Sequence, residues 1–374
     1  MIADRVLRPD IRDMEPYTPI VPFEVLSARL GRPVAEIVKL DANENPYGPS
    51  PGAMAAIASE PFYHIYPDPG ANALREAVGR YTGVNPELLL AGMGADELID
   101  LVLRAVIAPG DGVIDCPPSF GMYPVSAAVN GATYVPISRR ANFELDVPAI
   151  EEAVARTPNA KVLFICSPNN PDGSVVDDGT LRRLLALPLL VVLDEAYIDF
   201  AEPEGVASRL NWVASYDNLV VLRTFSKLAG LAGLRVGYGA FPSWLLPHLW
   251  KIKQPYNVNV AASRAAVAAL EDAAWLREKV GLLVDERERI ARELAAFPFL
   301  RPYPSHSNFV LFRVEGRPAA SLKRDLEREG VLVRYFNKPG LENCIRVSAG
   351  RPEDTDRLVE ALRRVSMAAL EENQ

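Results

Sequence analysis

The chain has 374 residues, of which 49% are hydrophobic and 24% are charged, a composition that excludes global disorder and leaves enough material for a sizeable buried core. Its net charge of −8 argues against general nucleic-acid binding, which needs a basic face. The three cysteines, Cys116, Cys166 and Cys344, are far apart, so neither a disulfide framework nor a zinc site is indicated.

The N-terminal 13 residues alternate charges with short apolar pairs and lack the apolar core of a signal peptide. No stretch reaches the apolar length that a membrane-spanning helix needs. We therefore expect a cytoplasmic protein with neither a membrane nor a nucleic acid as its partner. The three histidines, His64, His248 and His306, are scattered, so we expect no bound metal.

The first well-marked element is a helix over residues 95–107. Leu98, Leu101 and Val102 lie on one face at helical spacing, and the Pro-Gly pair at 109–110 ends the pattern. The N–H groups at the start of this helix, after Gly94, could bind an anion. Many helices begin in this way, so the signal is weak by itself.

The middle of the chain alternates short apolar runs with helical segments. Strands are predicted at residues 162–166, 189–193, 219–222 and 235–240, with a helix over 178–187 between the first two. Continuous apolar runs indicate strands that are covered on both faces, as in a parallel sheet. The pattern predicts an α/β fold with a large, mostly parallel, doubly wound sheet.

The C-terminal third follows a different pattern. A long helix is predicted over 261–294, and a strand, a helix, two strands and a helix follow at 308–312, 321–329, 331–334, 344–347 and 353–370. This order predicts a smaller α+β domain. We expect an N-terminal arm with part of the small domain at 1–40, a large α/β domain at 41–270 and the small domain at 271–374.

Polar residues follow or precede the central strands. They are Asn170, Asp194 with Tyr197, Ser226 with Lys227, and Arg235. In open α/β sheets, ligands bind outside the carboxyl ends of the strands, where such loops meet. A lysine there can form an imine if its pKa is lowered, although most lysines are solvated surface residues. A carboxylate that ends a buried strand needs a partner, either a structural cation or the protonated nitrogen of a heterocycle.

Three sequence strings resemble signatures of the fold-type I aminotransferases, which use pyridoxal 5'-phosphate (PLP). They are RTFSKLAGLAGLRVGY at 223–238, SPNNPDG at 167–173 and LDEAY at 193–197. Six further strings are similar to the histidinol-phosphate aminotransferases within that family. They are DANENPYG at 41–48, YPDP at 66–69, GADE at 94–97, CPPSFGMY at 116–123, QPYNVN at 254–259 and CIRVS at 344–348.

The resemblance implies a role for each residue that matches these strings. Lys227 would form the imine with PLP and then act as the acid and base that moves the substrate proton. Asp194 would keep the pyridine nitrogen protonated. Tyr197 and Asn170 would bond the phenolic oxygen of the ring and help to lower the pKa of the imine.

The resemblance also implies how the rest of the cofactor is held. Ser226, Arg235 and the amides of Ala95 and Asp96 would bind the phosphate, and Phe120 would stack on the ring. Every one of these residues lies in one of the quoted strings.

The remaining implied roles concern the partner subunit and the substrate. Tyr66 would reach the cofactor phosphate of a neighbouring subunit, which implies a homodimer with shared active sites. Tyr17, Asn45, Arg334 and Arg346 would bind the substrate, and the two arginines could clamp a phosphate or carboxylate. For Arg334, a surface salt bridge is the alternative.

The resemblance implies transamination of L-histidinol phosphate with 2-oxoglutarate, giving imidazole-acetol phosphate and L-glutamate, in histidine biosynthesis. Three alternatives stay open: an aromatic or broad-specificity aminotransferase, a PLP-dependent decarboxylase of a phosphorylated amino acid, and a non-catalytic PLP-fold protein. Two positions depart from the usual strings. Asp172 stands where relatives have Thr, which we expect to be neutral because Asp suits turns, and Leu228-Ala229 stands where Ala-Phe is common.

Overall fold

The computed structural model describes residues 2–12, 14 and 21–371. The strands are β1 (Val38–Leu40), β2 (Leu89–Gly92), β3 (Gly112–Asp115), β4 (Thr133–Pro136), β5 (Ala160–Cys166), β6 (Leu190–Asp194), β7 (Leu219–Thr224), β8 (Gly237–Ala240), β9 (Leu300–Pro302), β10 (Phe309–Val314), β11 (Val331–Tyr335) and β12 (Cys344–Ser348). The helices are α1 (Ile2–Val6), α2 (Pro9–Arg12), α3 (Phe23–Leu30), α4 (Pro51–Ser59), α5 (Asn72–Thr82), α6 (Ala95–Val106), α7 (Met122–Val129), α8 (Val147–Arg156), α9 (Asp178–Leu185), α10 (Phe225–Leu228), α11 (Leu246–Ile252), α12 (Val260–Glu271), α13 (Ala273–Leu294), α14 (Ala319–Arg328) and α15 (Pro352–Glu371).

Seven strands form the larger sheet, in the order β2-β8-β7-β6-β5-β3-β4. Its neighbouring strands are parallel except at β8, which is antiparallel to both β2 and β7. The predicted α/β class with a mostly parallel sheet is therefore confirmed.

Both faces of the central strands of this sheet are buried. Along β5, Leu163 and Ile165 pack in one apolar cluster, whereas Val162 and Phe164 pack in another on the opposite face. Successive side chains of a strand point to opposite faces, so a strand with two buried faces must be apolar at every position. This explains the continuous apolar runs in the sequence.

The smaller sheet has the order β1-β11-β12-β10-β9. Its first strand comes from the beginning of the chain, because Val38–Leu40 pairs in parallel with residues 331–333. Helix α13 contributes to the cores of both sheets: Leu276 and Leu283 pack beneath the larger one, and Ile290 and Leu294 pack beneath the smaller one. The domain limits at 40 and 270 stay predictions.

Two sequence predictions about elements were wrong in detail. The single long helix predicted over 261–294 is two helices, α12 and α13, which meet at Asp272. The carboxylate of Asp272 accepts hydrogen bonds from Ser50 Oγ at 2.6 Å and Gly52 N at 3.1 Å, a tertiary contact that local composition does not reveal. The strand predicted over 235–240 begins at Gly237, because Arg235 has a left-handed backbone with φ +54°.

None of the helices within residues 2–12 and 21–371 combines the length and the apolar character that crossing a bilayer requires.

Candidate active site

The candidate site lies where several strands of the larger sheet end. The pairing of Cys166 with Asp194 brings the last residues of β5 and β6 side by side. Gly237, at the start of the antiparallel strand β8, pairs with the last residues of both β7 and β2. Consequently the segments that follow β2, β5, β6 and β7, and the one that precedes β8, share one edge of the sheet.

Lys227 lies at this edge in the short helix α10, directly after β7. Its Nζ donates a hydrogen bond to the carbonyl of Ala42 at 3.2 Å and lies 6.0 Å from the centre of the Tyr197 ring. Burial, and secondly the nearby positive charge of Arg346, lower the pKa of Lys227 to about 8. A minor fraction of the amine is therefore neutral, and so nucleophilic, at neutral pH, and this fraction reaches about half near pH 8.

Asp194 is the last residue of β6 and is only 3% exposed. Tyr123 donates its hydroxyl proton to Asp194 Oδ2 at 2.8 Å, and Ala196 N donates to Oδ1 at 3.0 Å. Burial raises the pKa of Asp194 to about 6, against the effect of these hydrogen bonds. The carboxylate has two neutral donors and forms no salt bridge with any residue that the structure describes, so a protonated ligand nitrogen would complete its environment.

Tyr197 is buried close to Lys227, and Asn43 Nδ2 donates a hydrogen bond to its hydroxyl at 3.0 Å. Burial is the main reason that the pKa of Tyr197 lies above its ordinary value, so the phenol keeps its proton at neutral pH. Asn43 has a left-handed backbone, with φ +55°, and is 1% exposed.

The start of α6 follows β2 and lies at the same edge of the sheet. Gly94, the residue before the helix, has φ +78°, and a Cβ there would lie 2.7 Å from Arg235 Nη2, so a glycine is required. Arg235 Nη2 donates to Asp96 Oδ2 at 3.0 Å, which holds the guanidinium beside the helix N-terminus that begins at Ala95. Ser226 Oγ accepts from Thr224 Oγ1 at 3.0 Å and keeps its own proton for a further acceptor.

The segment between β3 and α7 carries Phe120, whose ring packs edge-on against Tyr123 at 5.5 Å between centroids. Asn169 anchors this segment, because it accepts from Ser119 Oγ and donates to the carbonyl of Pro118. Asp172, the departure noted in the sequence, is 1% exposed, and its carboxylate accepts from Asn169 Nδ2 and from the backbone N–H of Ser174.

Arg346 connects the smaller sheet with this site. It is 5% exposed, and it donates to Asn170 Oδ1 at 2.5 Å and to the carbonyl of Asp41 at 2.8 Å. Arg334 is its register partner on the neighbouring strand β11, and both guanidinium groups lie over the ring of Phe336. Two cations are thus held side by side next to the turn that carries Asn170.

Two of the remaining predicted residues, Tyr66 and Asn45, have other surroundings. Tyr66 is 79% exposed and stacks on Tyr256 at 4.6 Å between ring centroids. Asn45 is buried and donates to the carbonyl of Leu228, one residue after Lys227. Tyr17 lies outside the described residues.

Asn43 and Tyr123 are among the residues that sequence reasoning missed and that contact the predicted set. Each contact joins residues that are far apart in the chain, 154 positions for Asn43 with Tyr197 and 71 for Tyr123 with Asp194. The available signal was their position inside the strings at 41–48 and 116–123, which were recognised without assigning these two residues a role.

Comparisons with known proteins agree with this arrangement. The sequence model of aminotransferase class I and II matches residues 35–362. The chain is 52% identical to the chloroplastic histidinol-phosphate aminotransferase of Nicotiana plumbaginifolia over 362 residues, covering 96% of this chain and 87% of that protein. It is also 52% identical to histidinol-phosphate aminotransferase of Roseiflexus castenholzii, covering 96% of this chain and 98% of that protein.

A solved structure extends the likeness to three dimensions. Histidinol-phosphate aminotransferase from Sinorhizobium meliloti, in complex with pyridoxal-5'-phosphate, superposes with a TM-score of 0.86 at 29% identity, covering 96% of this chain and 98% of that one. The predicted family is therefore confirmed. The chain belongs to the class I and II aminotransferases and, within them, to the histidinol-phosphate aminotransferase family.

Proposed function

We propose that the protein is a PLP-dependent aminotransferase that converts L-histidinol phosphate and 2-oxoglutarate into imidazole-acetol phosphate and L-glutamate. The observation that carries the proposal is the nearness of a half-buried lysine amine to a pair of arginines, of which Arg346 is buried. Arg346 lies near enough to Lys227 to help lower its pKa, and Arg334 is its register partner. The reaction needs an amine that can bond to PLP, which Lys227 would supply. It also needs cations that bind an anionic substrate, which the two arginines would supply.

The donor set fits PLP from one end to the other. Asp194 supplies a buried carboxylate for the ring nitrogen, and Lys227 supplies the amine that would bond to the cofactor. Arg235, Ser226 and the first N–H groups of α6 would hold the phosphate, since a helix N-terminus and a guanidinium both favour a dianion. Bound there, PLP would supply an electron sink for the carbon that bears the substrate amino group.

The remaining predicted cofactor residues would orient the ring. Tyr197 and Asn170 would bond its phenolic oxygen, and Phe120 would cover one face. Tyr123 would keep Asp194 in position, because its hydroxyl donates to the carboxylate from within the protein. A carboxylate held in this way favours the protonated form of a ring nitrogen.

Lys227 would also move the substrate proton. Its pKa of about 8 lies close to neutral pH, so the amine can accept a proton and return it without a large penalty in either direction. The hydrogen bond from Nζ to the carbonyl of Ala42 fixes the direction of the amine.

Arg346 and Arg334 would bind the anionic end of each substrate in turn, the carboxylate of glutamate and the phosphate of histidinol phosphate. Arg346 is held by Asn170 and Asp41, so its position is set before substrate binds. A preorganised guanidinium loses little entropy when it binds an anion. Asn45, and Tyr17 of the N-terminal arm, would complete the substrate site.

Three further parts of the proposal concern assembly and location. We propose a homodimer in which Tyr66 reaches the partner subunit's cofactor phosphate. The exposure of Tyr66 (79%), Phe62 (54%), Tyr63 (53%) and Ile65 (52%) supports an interface at this segment. The cytoplasmic location and the domain limits 1–40, 41–270 and 271–374 stay predictions from sequence.

The test is single-turnover absorbance spectroscopy of the PLP-loaded protein with histidinol phosphate, glutamate, phenylalanine and phosphothreonine. Conversion of the cofactor to its amino form by histidinol phosphate and glutamate, far faster than by phenylalanine, is the expected result. Fastest conversion by phenylalanine would instead indicate an aromatic aminotransferase. Reaction of phosphothreonine alone, with release of carbon dioxide, would indicate a decarboxylase.

A further inference from the structure

Asn43 lies between the two sheets and uses every polar atom it has. Its backbone N–H donates to Ser348 Oγ at 2.8 Å, and its backbone carbonyl accepts from Asn308 Nδ2 at 3.0 Å. Its side-chain Oδ1 accepts from Ser348 Oγ at 2.9 Å, and its Nδ2 donates to the Tyr197 hydroxyl at 3.0 Å. The residue is 1% exposed, so water does not compete for these bonds.

Counting protons assigns one donor to each hydrogen bond. The single hydroxyl proton of Ser348 is donated to Asn43 Oδ1, and the hydroxyl oxygen accepts from the backbone N–H of Asn43. Because Oδ1 faces Ser348, the NH₂ group of the same amide faces away from Ser348. Asn43 therefore turns its NH₂ group, and not its oxygen, toward Tyr197.

The same counting applies to the phenol of Tyr197. One of its lone pairs accepts from Asn43, so its proton is directed elsewhere. In the part of the chain that the structure describes, the Tyr197 hydroxyl donates to no acceptor. Because Tyr197 also remains protonated at neutral pH, it keeps an unused donor close to Lys227, whose Nζ lies 6.0 Å from the centre of the Tyr197 ring.

We propose that Asn43 is a positioning residue that makes Tyr197 a hydrogen-bond donor to the phenolic oxygen of PLP, with Ser348 fixing the orientation of the Asn43 amide. This inference rests on the proposed function and deepens it. Ser348 and Arg346 lie two residues apart on the same strand, β12. The strand that would bind the substrate anion would therefore also determine that Tyr197 is the donor in its hydrogen bond to the cofactor.

A hydrogen-bond donor to the phenolic oxygen stabilises the anionic form of that oxygen. The imine nitrogen that would join Lys227 to the cofactor would therefore lose its proton at a lower pH. The test is therefore a pH titration of the visible absorption band of the PLP-loaded protein. Asn43→Gly removes the amide without strain, because glycine accepts the φ of +55° at this position. Ser348→Ala keeps Asn43 but removes the hydroxyl that donates to Asn43 Oδ1, so the side-chain amide of Asn43 is free to turn round.

We expect the titration midpoint to rise by about one pH unit in Asn43→Gly and by a smaller amount in Ser348→Ala, the order of magnitude of one hydrogen bond. Tyr197→Phe should raise it at least as far as Asn43→Gly. Adding Asn43→Gly to Tyr197→Phe should produce no further rise, because Asn43 acts through the phenol. Asn142→Gly, the same chemical change in an exposed turn, should leave the midpoint unchanged.

An unchanged midpoint in Asn43→Gly beside a raised one in Tyr197→Phe would overturn the inference, and so would a double variant whose shift is the sum of the two single shifts. If Asn43→Gly does not fold, Ser348→Ala carries the same test, and an unchanged midpoint there would be equally decisive. A wild-type protein that develops no visible band with PLP would overturn the proposed function and the inference together.

Discussion

Arg346 Nη1 donates a 2.5 Å hydrogen bond to Asn170 Oδ1, and this contact joins the two sheets across the site. Arg346 belongs to β12 of the smaller sheet, whereas Asn170 lies in the turn after β5 of the larger one. A residue proposed to bind the substrate anion thus touches a residue proposed to bind the cofactor. Because a charge-assisted hydrogen bond connects them, a change at Arg346 should reach the cofactor end of the site as well.

Lys227→Ala should abolish transamination while the protein still folds. The variant loses both the amine that bonds to PLP and the acid–base group at Nζ, and acid–base catalysis alone is worth about 10²- to 10⁴-fold. The measurement is the rate at which glutamate converts the cofactor, followed by absorbance, beside the melting temperature. Lys251→Ala, an exposed lysine of α11, is the matched control and should react at the wild-type rate. Normal turnover in Lys227→Ala would refute the assignment.

Arg346→Ala should raise the KM for glutamate by about 10- to 100-fold, the value of losing a hydrogen bond to a charged group. A moderate fall in kcat should accompany this rise, because Asn170 loses its donor. Arg334→Ala should affect histidinol phosphate more than glutamate, if the second arginine serves the phosphate. Steady-state kinetics with both substrates measures these effects. Arg313→Ala, an exposed arginine on the adjacent strand β10, is the control. An unchanged KM in Arg346→Ala would locate the anion site elsewhere.

The uptake of PLP should depend on the ionisation of Lys227. Only the neutral amine attacks the cofactor aldehyde, and burial, together with Arg346, lowers the pKa of Lys227 to about 8. The rate at which the cofactor-free protein develops its visible band should therefore rise with pH through about 8 and then level off. Stopped-flow mixing at a series of pH values measures the midpoint.

Arg346→Gln separates the two causes of this lowered pKa. The variant removes the second-largest cause, the positive charge, and leaves burial, the largest, in place. The midpoint of PLP uptake should therefore move part of the way from about 8 toward the ordinary lysine value of 10.5. A midpoint that does not respond to Arg346→Gln would mean that the two charges do not interact.

Much of the fold could be predicted because its cause is local. The apolar run at 219–222 predicted β7, observed at Leu219–Thr224, and the run at 189–193 predicted β6 within one residue. A strand that is buried on both faces has a continuous apolar sequence, whichever elements pack against it. The break at Asp272 left no such mark, since its cause is a bond from Ser50, 222 residues away in sequence.

The site residues that could be predicted from the sequence are likewise those that a local sequence feature identifies. Lys227, Asp194 and Asn170 could be identified because strand ends and family strings mark them. Asn43 and Tyr123 could not, because each acts through a partner that only the folded chain brings near. The surroundings of Asp172 could not be predicted from the sequence either. Asn169 and Ser174 donate hydrogen bonds to its carboxylate. The expected neutral effect of having Asp at this position stays a prediction.

Asp194→Asn should stabilise the cofactor-free protein at pH 8 while weakening PLP binding. Burial raises the pKa of Asp194 to about 6 from an ordinary value of 3.8, so the charged form costs folding free energy at any pH above about 6. Replacing it with a neutral amide should raise the free energy of unfolding by about 1–3 kcal/mol. The hydroxyl of Tyr123 can rotate to accept from the new NH₂ group, so no buried polar atom need lose its partner.

The pH dependence of the stabilisation shows whether it comes from removing the buried charge of Asp194 or from a change in packing. As the pH falls through about 6, wild-type Asp194 becomes protonated, and the advantage of Asp194→Asn should shrink until it is gone near the ordinary value of 3.8. Urea unfolding of both proteins at a series of pH values measures the difference. Asp217→Asn, which changes an exposed carboxylate, should give almost no difference at any pH. A stabilisation that stays constant with pH, or a loss of stability at pH 8, would show that the buried charge of Asp194 does not oppose folding.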